Sequence, residues 1–225
     1  MTIHELRPAA DLAACIDAYW WSDGDACARI VPDGCADVIF DGREPFIVGT
    51  MTRPIEARSS EGMFGIRFRP GRAALALGAP LTEITDARVP LRDVRRRFPD
   101  VRLENADAAM RALFADANPD PRVDAAVDVI VRSGGLAPID SVAAAAGVSR
   151  QHLARAFAYH VGVSPKTFAR VMRFRRVLAC ADRLQPVDWA DFALELGYFD
   201  QSHFIAEFRE FAGETPVPFF LSRGE

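Results

Sequence analysis

The chain repeats itself once. Displaced by fifty-one residues, Leu153 falls on Phe204, Phe157 on Phe208, Gly162 on Gly213, Ser164-Pro165 on Thr215-Pro216 and Phe168 on Phe219. Upstream the displacement is fifty, with Ile139 on Trp189, Ala143 on Ala193 and Gly147 on Gly197. One inserted residue at Tyr198-Phe199 accounts for the difference. A repeat that keeps its glycine, its Ser/Thr-Pro pair and its apolar positions together describes one supersecondary unit used twice.

The first copy shows what the unit is. Pro138 suits the first position of a helix, where its missing N–H is not needed. Ile139, Val142, Ala143 and Ala146 recur at helical spacing. Gly147 ends that helix, and Ser149 is a strong N-cap for the next. In the second helix Leu153, Ala156, Phe157 and His160 share one face, while Arg150, Gln151, Ala154, Arg155 and Ala158 share the other. Helix, tight glycine turn, helix is the helix-turn-helix arrangement, whose second helix enters the major groove. A helix over Arg122–Val131 packs against this copy. Ser164-Pro165 opens a long helix to about Arg183, with Phe168, Val171, Met172, Val177 and Leu178 on its apolar face. Such a helix joins the copies rigidly, and successive major grooves on one face of DNA repeat at about 34 Å.

The motifs A-x-x-x-G-V-S at Ala143–Ser149, F-x-x-x-x-G-V-S-P at Phe157–Pro165 and L-G-Y-F-D-Q-S-H-F at Leu196–Phe204 resemble the DNA-binding domain of the AraC/XylS transcription regulators. The resemblance runs from about residue 122 to 222. It implies an all-α domain of two helix-turn-helix units and double-stranded DNA as partner, with RNA polymerase as a second. It also implies a groove-facing set: Arg150, Gln151, Ala154 and Arg155 in the first unit, Gln201, Ser202, His203 and Ala206 in the second. Ser149 and Lys166 flank the first helix and join that set. Arginine forks onto guanine O6/N7 and glutamine pairs with adenine, so Arg155 and Gln151 are the strongest readers. The family often has a basic residue where Ala206 stands, and Glu207 follows it. The second unit is therefore expected to read bases weakly.

Charge points the same way. The formal net charge is −4, so attraction to nucleic acid has to be local. From Ser149 to Arg176 there are seven bases and no acid: Arg150, Arg155, Lys166, Arg170, Arg173, Arg175 and Arg176. From Val177 to Thr215 stand Asp182, Asp188, Asp191, Glu195, Asp200, Glu207, Glu210 and Glu214, against Arg183 and Arg209. An acid-free basic stretch over a recognition helix favours phosphate contact.

Residues 1–118 read differently. Ile16–Ser22, Val38–Phe40, Phe46–Val48 and Met63–Phe68 are strand-length apolar pieces. Phe64, Ile66 and Phe68 lie on one face of the last, with Arg67 and Arg69 on the other. Asp23-Gly24, Pro32-Asp33-Gly34 and Asp41-Gly42 punctuate them as turns. A small antiparallel sheet or barrel is expected, followed by helices over Arg72–Leu77, Leu91–Phe98 and Ala106–Ala115. Asn118-Pro119-Asp120-Pro121 is the expected boundary. The fold class is therefore α+β, with an N-terminal regulatory module at 1–118 and a DNA-binding domain at 119–225. The pieces Arg29–Phe40, Val48–Pro54 and Gly65–Ala73 resemble the short N-terminal module of many AraC-type regulators. That leaves a small-molecule effector and homodimerisation open, with Tyr19, Trp20 and Trp21 as ligand candidates beside the alternative of a buried strand. Arg95-Arg96-Arg97 reads as a solvated helix face.

No catalytic constellation, metal site or cofactor site is expected. Cys15, Cys27, Cys35 and Cys180 form no C-x-x-C pair, and Asp33 and Asp37 raise rather than lower the pKa of the thiol between them. The competing classes are a cysteine-alkylating repair regulator and an adaptor that keeps the fold without binding DNA. The first lacks a zinc-type cysteine cluster; the basic stretch opposes the second. No apolar run reaches membrane-span length and the N-terminus has no signal core, so a cytoplasmic, membrane-free location is expected.

Overall fold

The computed structural model describes residues 3–24, 26–59, 62–181 and 189–221. Among the described residues the N-terminal half holds eight strands: β1 (Ile3–Leu6), β2 (Ile16–Ser22), β3 (Ala26–Ile30), β4 (Ala36–Phe40), β5 (Phe46–Val48), β6 (Ile55–Ser59), β7 (Phe64–Phe68) and, after a first helix, β8 (Arg88–Pro90). Six of them form an antiparallel sheet in the order β1-β2-β7-β4-β5-β8, while β3 and β6 pair as a separate ribbon. Alternation then sorts the side chains. Tyr19, Val38, Ile47, Ile66 and Phe68 enter one core with Leu12, Leu77, Leu81 and Met110. Trp20, Ile39 and Phe46 take the opposite face, where Met63 joins them.

That core is closed by α1 (Ala73–Leu77), α2 (Leu91–Val94) and α3 (Ala106–Phe114). Gly78, in the left-handed region at φ 70°, ends α1 where expected. The expected helix over Leu91–Phe98 stops at Val94, because Arg95 turns extended. Its guanidinium donates to the Ala76 and Arg97 carbonyls at 2.5 and 2.9 Å. Arg95-Arg96-Arg97 therefore does not form a helix face.

The helical half comprises α4 (Pro121–Arg132), α5 (Ile139–Ala145), α6 (Arg150–His160), α7 (Pro165–Ala181), α8 (Trp189–Glu195), α9 (Gln201–Ala212) and α10 (Pro216–Leu221). Asp120 caps α4, accepting from the Arg122 N–H at 2.9 Å. Pro138 sits one position earlier than expected, as the extended N-cap of α5 (φ −57°, ψ 139°). The expected end of the connecting helix at Arg183 lies outside the described residues.

Two cores fill this half. Val123, Ala126, Ile130, Val142, Leu153, Phe157 and Phe168 form the first. Phe174, Phe192, Phe204, Phe208, Phe211 and Phe219 form the second, with Trp189 and Phe220 packed against it. Helix α7 serves both, turning Phe168 to one and Phe174 to the other. Among the described residues, no helix is long and apolar enough to cross a membrane.

Candidate nucleic-acid interface

The two helix-turn-helix units are built alike. In each, a glycine at positive φ (Gly147 at 66°, Gly197 at 80°) closes the first helix. The following N–H turns back: Val148 donates to the Ala143 carbonyl at 3.0 Å, and Tyr198 to Ala193 at 2.9 Å. Only glycine adopts this conformation without strain. The second unit then spends one more residue, Phe199, before its cap. Ser149 accepts from the His152 N–H at 3.2 Å and Asp200 from His203 at 2.7 Å.

Behind each second helix the apolar face is sealed. Leu153 and Phe157 are buried in α6, and Phe204 and Phe208 in α9. The opposite faces are open. Ser149, Arg150, Gln151, Ala154, Arg155, Lys166, Gln201, Ser202, His203 and Ala206 are all exposed. Between the units lies a cleft of about 640 Å³, lined by Arg150 and Lys166, by His203 and Ala206, and by Arg170 and Arg173 on its floor. One helix, α7, thus separates two exposed helix faces.

Two charge expectations need correction. Arg170 and Arg173 are not free for phosphate. Arg173 holds both oxygens of Glu207 at 2.8 Å, and Arg170 reaches Glu207 at 2.8 Å and Glu210 at 2.5 Å. Nor does Glu207 repel DNA, because its side chain is 2% exposed and faces α7. Glutamate follows Ala206 in sequence, but one step along a helix rotates the side chain by about 100°. Arg173 also stacks over Tyr198, 4.4 Å from the ring centre. The remaining bases of the stretch are Arg150, 3.3 Å from the exposed Asp140, with Arg155, Lys166, Arg175 and Arg176. No sequence motif announces the Arg170–Arg173–Glu207 cluster; its one trace is an arginine pair at i, i+3 on a helix beside an otherwise acidic unit.

Residues 142–220 match the family model of a helix-turn-helix domain, across both units and the helix between them. Those residues form a helix-turn-helix domain of the AraC/XylS type. Residues 4–90 match a second family model, described as a domain of unknown function, DUF6597. Two solved structures of ToxT from Vibrio cholerae are similar to the chain at 10% identity. One covers 98% of this chain and 97% of that chain with a TM-score of 0.44. The other covers 100% and 98% with a TM-score of 0.43. No curated protein matches. The regulator is a DNA-binding transcription regulator by its C-terminal domain.

The N-terminal module rests directly on that domain. Thr50 donates to the Val161 carbonyl and Thr85 to the Gly162 carbonyl, each at 2.6 Å. These are carbonyls just past α6, where a helix end leaves acceptors without partners. Arg72 reaches Asp124 of α4 at 2.6 Å. Farther along, the Asp33–Gly34 turn abuts Phe168 and Met172 of α7. Arg29 of β3 pairs with Glu214, beyond the end of α9.

The ligand candidates separate. Tyr19 points into the core, where its hydroxyl donates to Asp107 at 2.9 Å. Trp21 stacks on His4. Trp20 lines a chamber of about 560 Å³ between the six-stranded sheet and the β3–β6 ribbon. Its indole lies across Gly65, where any Cβ would come within 2.1 Å of the ring. Burial, with Asp33 and Asp37, pushes the Cys35 thiol well up, so this cysteine is poorly ionised.

Proposed function

We propose that residues 119–225 bind a specific duplex sequence and that residues 1–118 set how tightly they do so. The reading is carried by the two exposed helix faces that line one cleft on either side of α7. The first unit supplies the stronger readers. Arg155 is suited to guanine and Gln151 to adenine, with Ala154 between them and Lys166 and Arg150 near the phosphates. The second unit supplies Gln201, Ser202, His203 and Ala206, whose methyl group is suited to a thymine methyl. RNA polymerase is the further partner that the family resemblance implies.

Control by the N-terminal module is supported by where it touches. Thr50 and Thr85 hold the end of the first recognition helix, and Arg29 holds Glu214, two residues past the second. A change of shape in the module therefore reaches both units through hydrogen-bonded contacts.

Selection of bound sequences from a random duplex pool with the full chain tests the first claim. An enriched site spanning two successive major grooves is expected; a pool without enrichment overturns the reading. Replacing Thr50 and Thr85 together by valine tests the second. The full chain should change its affinity for the selected site several-fold while remaining folded, and unchanged affinity removes the support for control through this contact.

A further inference from the structure

One residue of the second unit has no counterpart in the first. Val148, half-buried, donates to the Ala143 carbonyl and is followed at once by the cap, Ser149. Tyr198 makes the same bond to Ala193, but Phe199 intervenes before Asp200 caps α9. Tyr198 and Phe199 then go opposite ways. Tyr198 is buried against Phe204, with ring centres 5.2 Å apart. Phe199 is 85% exposed, the most exposed large apolar side chain among the described residues.

A lone apolar residue on a protein surface is ordinary and by itself needs no explanation. Phe199 is set apart by where it stands. Its N–H donates to His203 Nδ1 at 3.4 Å, and His203 lines the cleft between the two units together with Ala206. The extra residue thus continues the exposed face of α9 at its N-terminal end, the end by which a recognition helix meets base edges. The four residues that follow it, Asp200, Gln201, Ser202 and His203, are all exposed and polar. A protein partner docks on a contiguous apolar patch, which this row does not offer. The major groove presents the matching pattern, with the thymine methyl set among hydrogen-bond donors and acceptors.

We infer that Phe199 is a specificity-determining residue of the second unit, placing its ring against the C5-methyl group of a thymine in that unit's part of the DNA site. The contact covers a ring that water otherwise surrounds, and it requires no hydrogen bond. The second unit, whose groove-facing set of Gln201, Ser202, His203 and Ala206 holds no arginine, thereby gains a reader. The extra residue is what allows it. Without Phe199 the chain would pass from the inward Tyr198 straight to the cap, as the first unit passes from Val148 to Ser149. The inference deepens the DNA-binding reading and rests on it.

The test uses the full chain and its Phe199→Ala and Phe199→Leu variants, titrated on the duplex enriched from the random pool. Each thymine of the site is replaced in turn by uracil, which lacks only the methyl. Phe199→Ala should weaken binding about fivefold and Phe199→Leu less, in line with the apolar area each removes. Melting temperatures should not change, because the ring is exposed in the free protein. Uracil at one thymine should weaken the unaltered chain about threefold, and the same replacement should leave Phe199→Ala binding as it was. That lost sensitivity separates a methyl contact from a general weakening of the unit. Methyl sensitivity that survives in Phe199→Ala, unaltered affinity of that variant, a loss accounted for by a lower melting temperature, or a site without thymine overturns the inference. An enriched site that Phe199→Ala binds as tightly as the unaltered chain leaves the DNA-binding reading standing and removes this inference alone; a pool without enrichment removes both.

Discussion

The two helix-turn-helix units share a backbone plan and differ in what braces it. The first has a core of small aliphatic residues with one ring pair, Phe157 against Phe168 at 5.9 Å. Its recognition helix is held from outside, by Thr50 and Thr85 of the other module. The second has a dense aromatic core, in which Phe208 meets Phe174, Phe204, Phe219 and Phe220 with centroids 5.2 to 5.8 Å apart. Its recognition helix is held from within, by Glu207 on Arg170 and Arg173. The difference teaches that one fold unit can be fixed in two ways, from a neighbouring module or from its own core. Arginines and glutamates that look available for, or hostile to, DNA are partly spent on this bracing.

The largest effects should come from the cores. Phe157 and Phe208 are both fully buried, so replacing either by alanine should cost about 3–5 kcal/mol. The Phe208 variant should lose more, because more rings lose a partner. Denaturant titration of each variant checks this, and a near-zero shift for Phe208 would break the account of the second core.

Next comes the internal brace. Glu207→Gln leaves two arginines facing a neutral group and should cost about 3 kcal/mol. It should also weaken DNA binding through the second unit. If stability is unchanged, the cluster is an ornament of the surface and the comparison fails at that point.

Arg155→Ala should then cost about 1–3 kcal/mol of DNA binding and relax preference at one or two base pairs. Gln201→Ala and His203→Ala should each cost less. Ala206→Arg should tighten binding and steepen the log–log salt dependence by up to about one unit. Titrations on a selected site at several salt concentrations measure all four. A greater loss from the second helix than from Arg155 reverses the proposed asymmetry.

The smallest effects sharpen what the units share. Ser149→Ala and Asp200→Ala each remove one cap and should each cost about 1 kcal/mol. Similar melting shifts are expected, since both caps make the same bond to the third residue of their helix.

Much of this was legible before any coordinates. The cap at Ser149 and the glycines at 147 and 197 are local signals, made by groups within about four positions of one another, and the fifty-residue repeat is that local pattern written twice. So is the alternation in Phe64–Phe68, which placed three side chains in a core and Arg67 opposite them. The Leu91–Phe98 expectation failed because an apolar spacing says nothing of the Ala76 carbonyl that draws Arg95 away.

The sequence by itself determined the tandem units, their exposed helix faces and the strand-rich character of the first half, because periodicity and capping act along the chain. Only the tertiary structure decided that Arg170 and Arg173 serve Glu207, thirty-seven and thirty-four residues away. It alone showed that Trp20, Asp37 and Arg67 meet at one chamber wall, and that Thr50 holds the end of a helix 111 residues later. Those pairings depend on which surfaces pack together. An isolated charge or hydroxyl carries no mark of its partner until desolvation and distance select one.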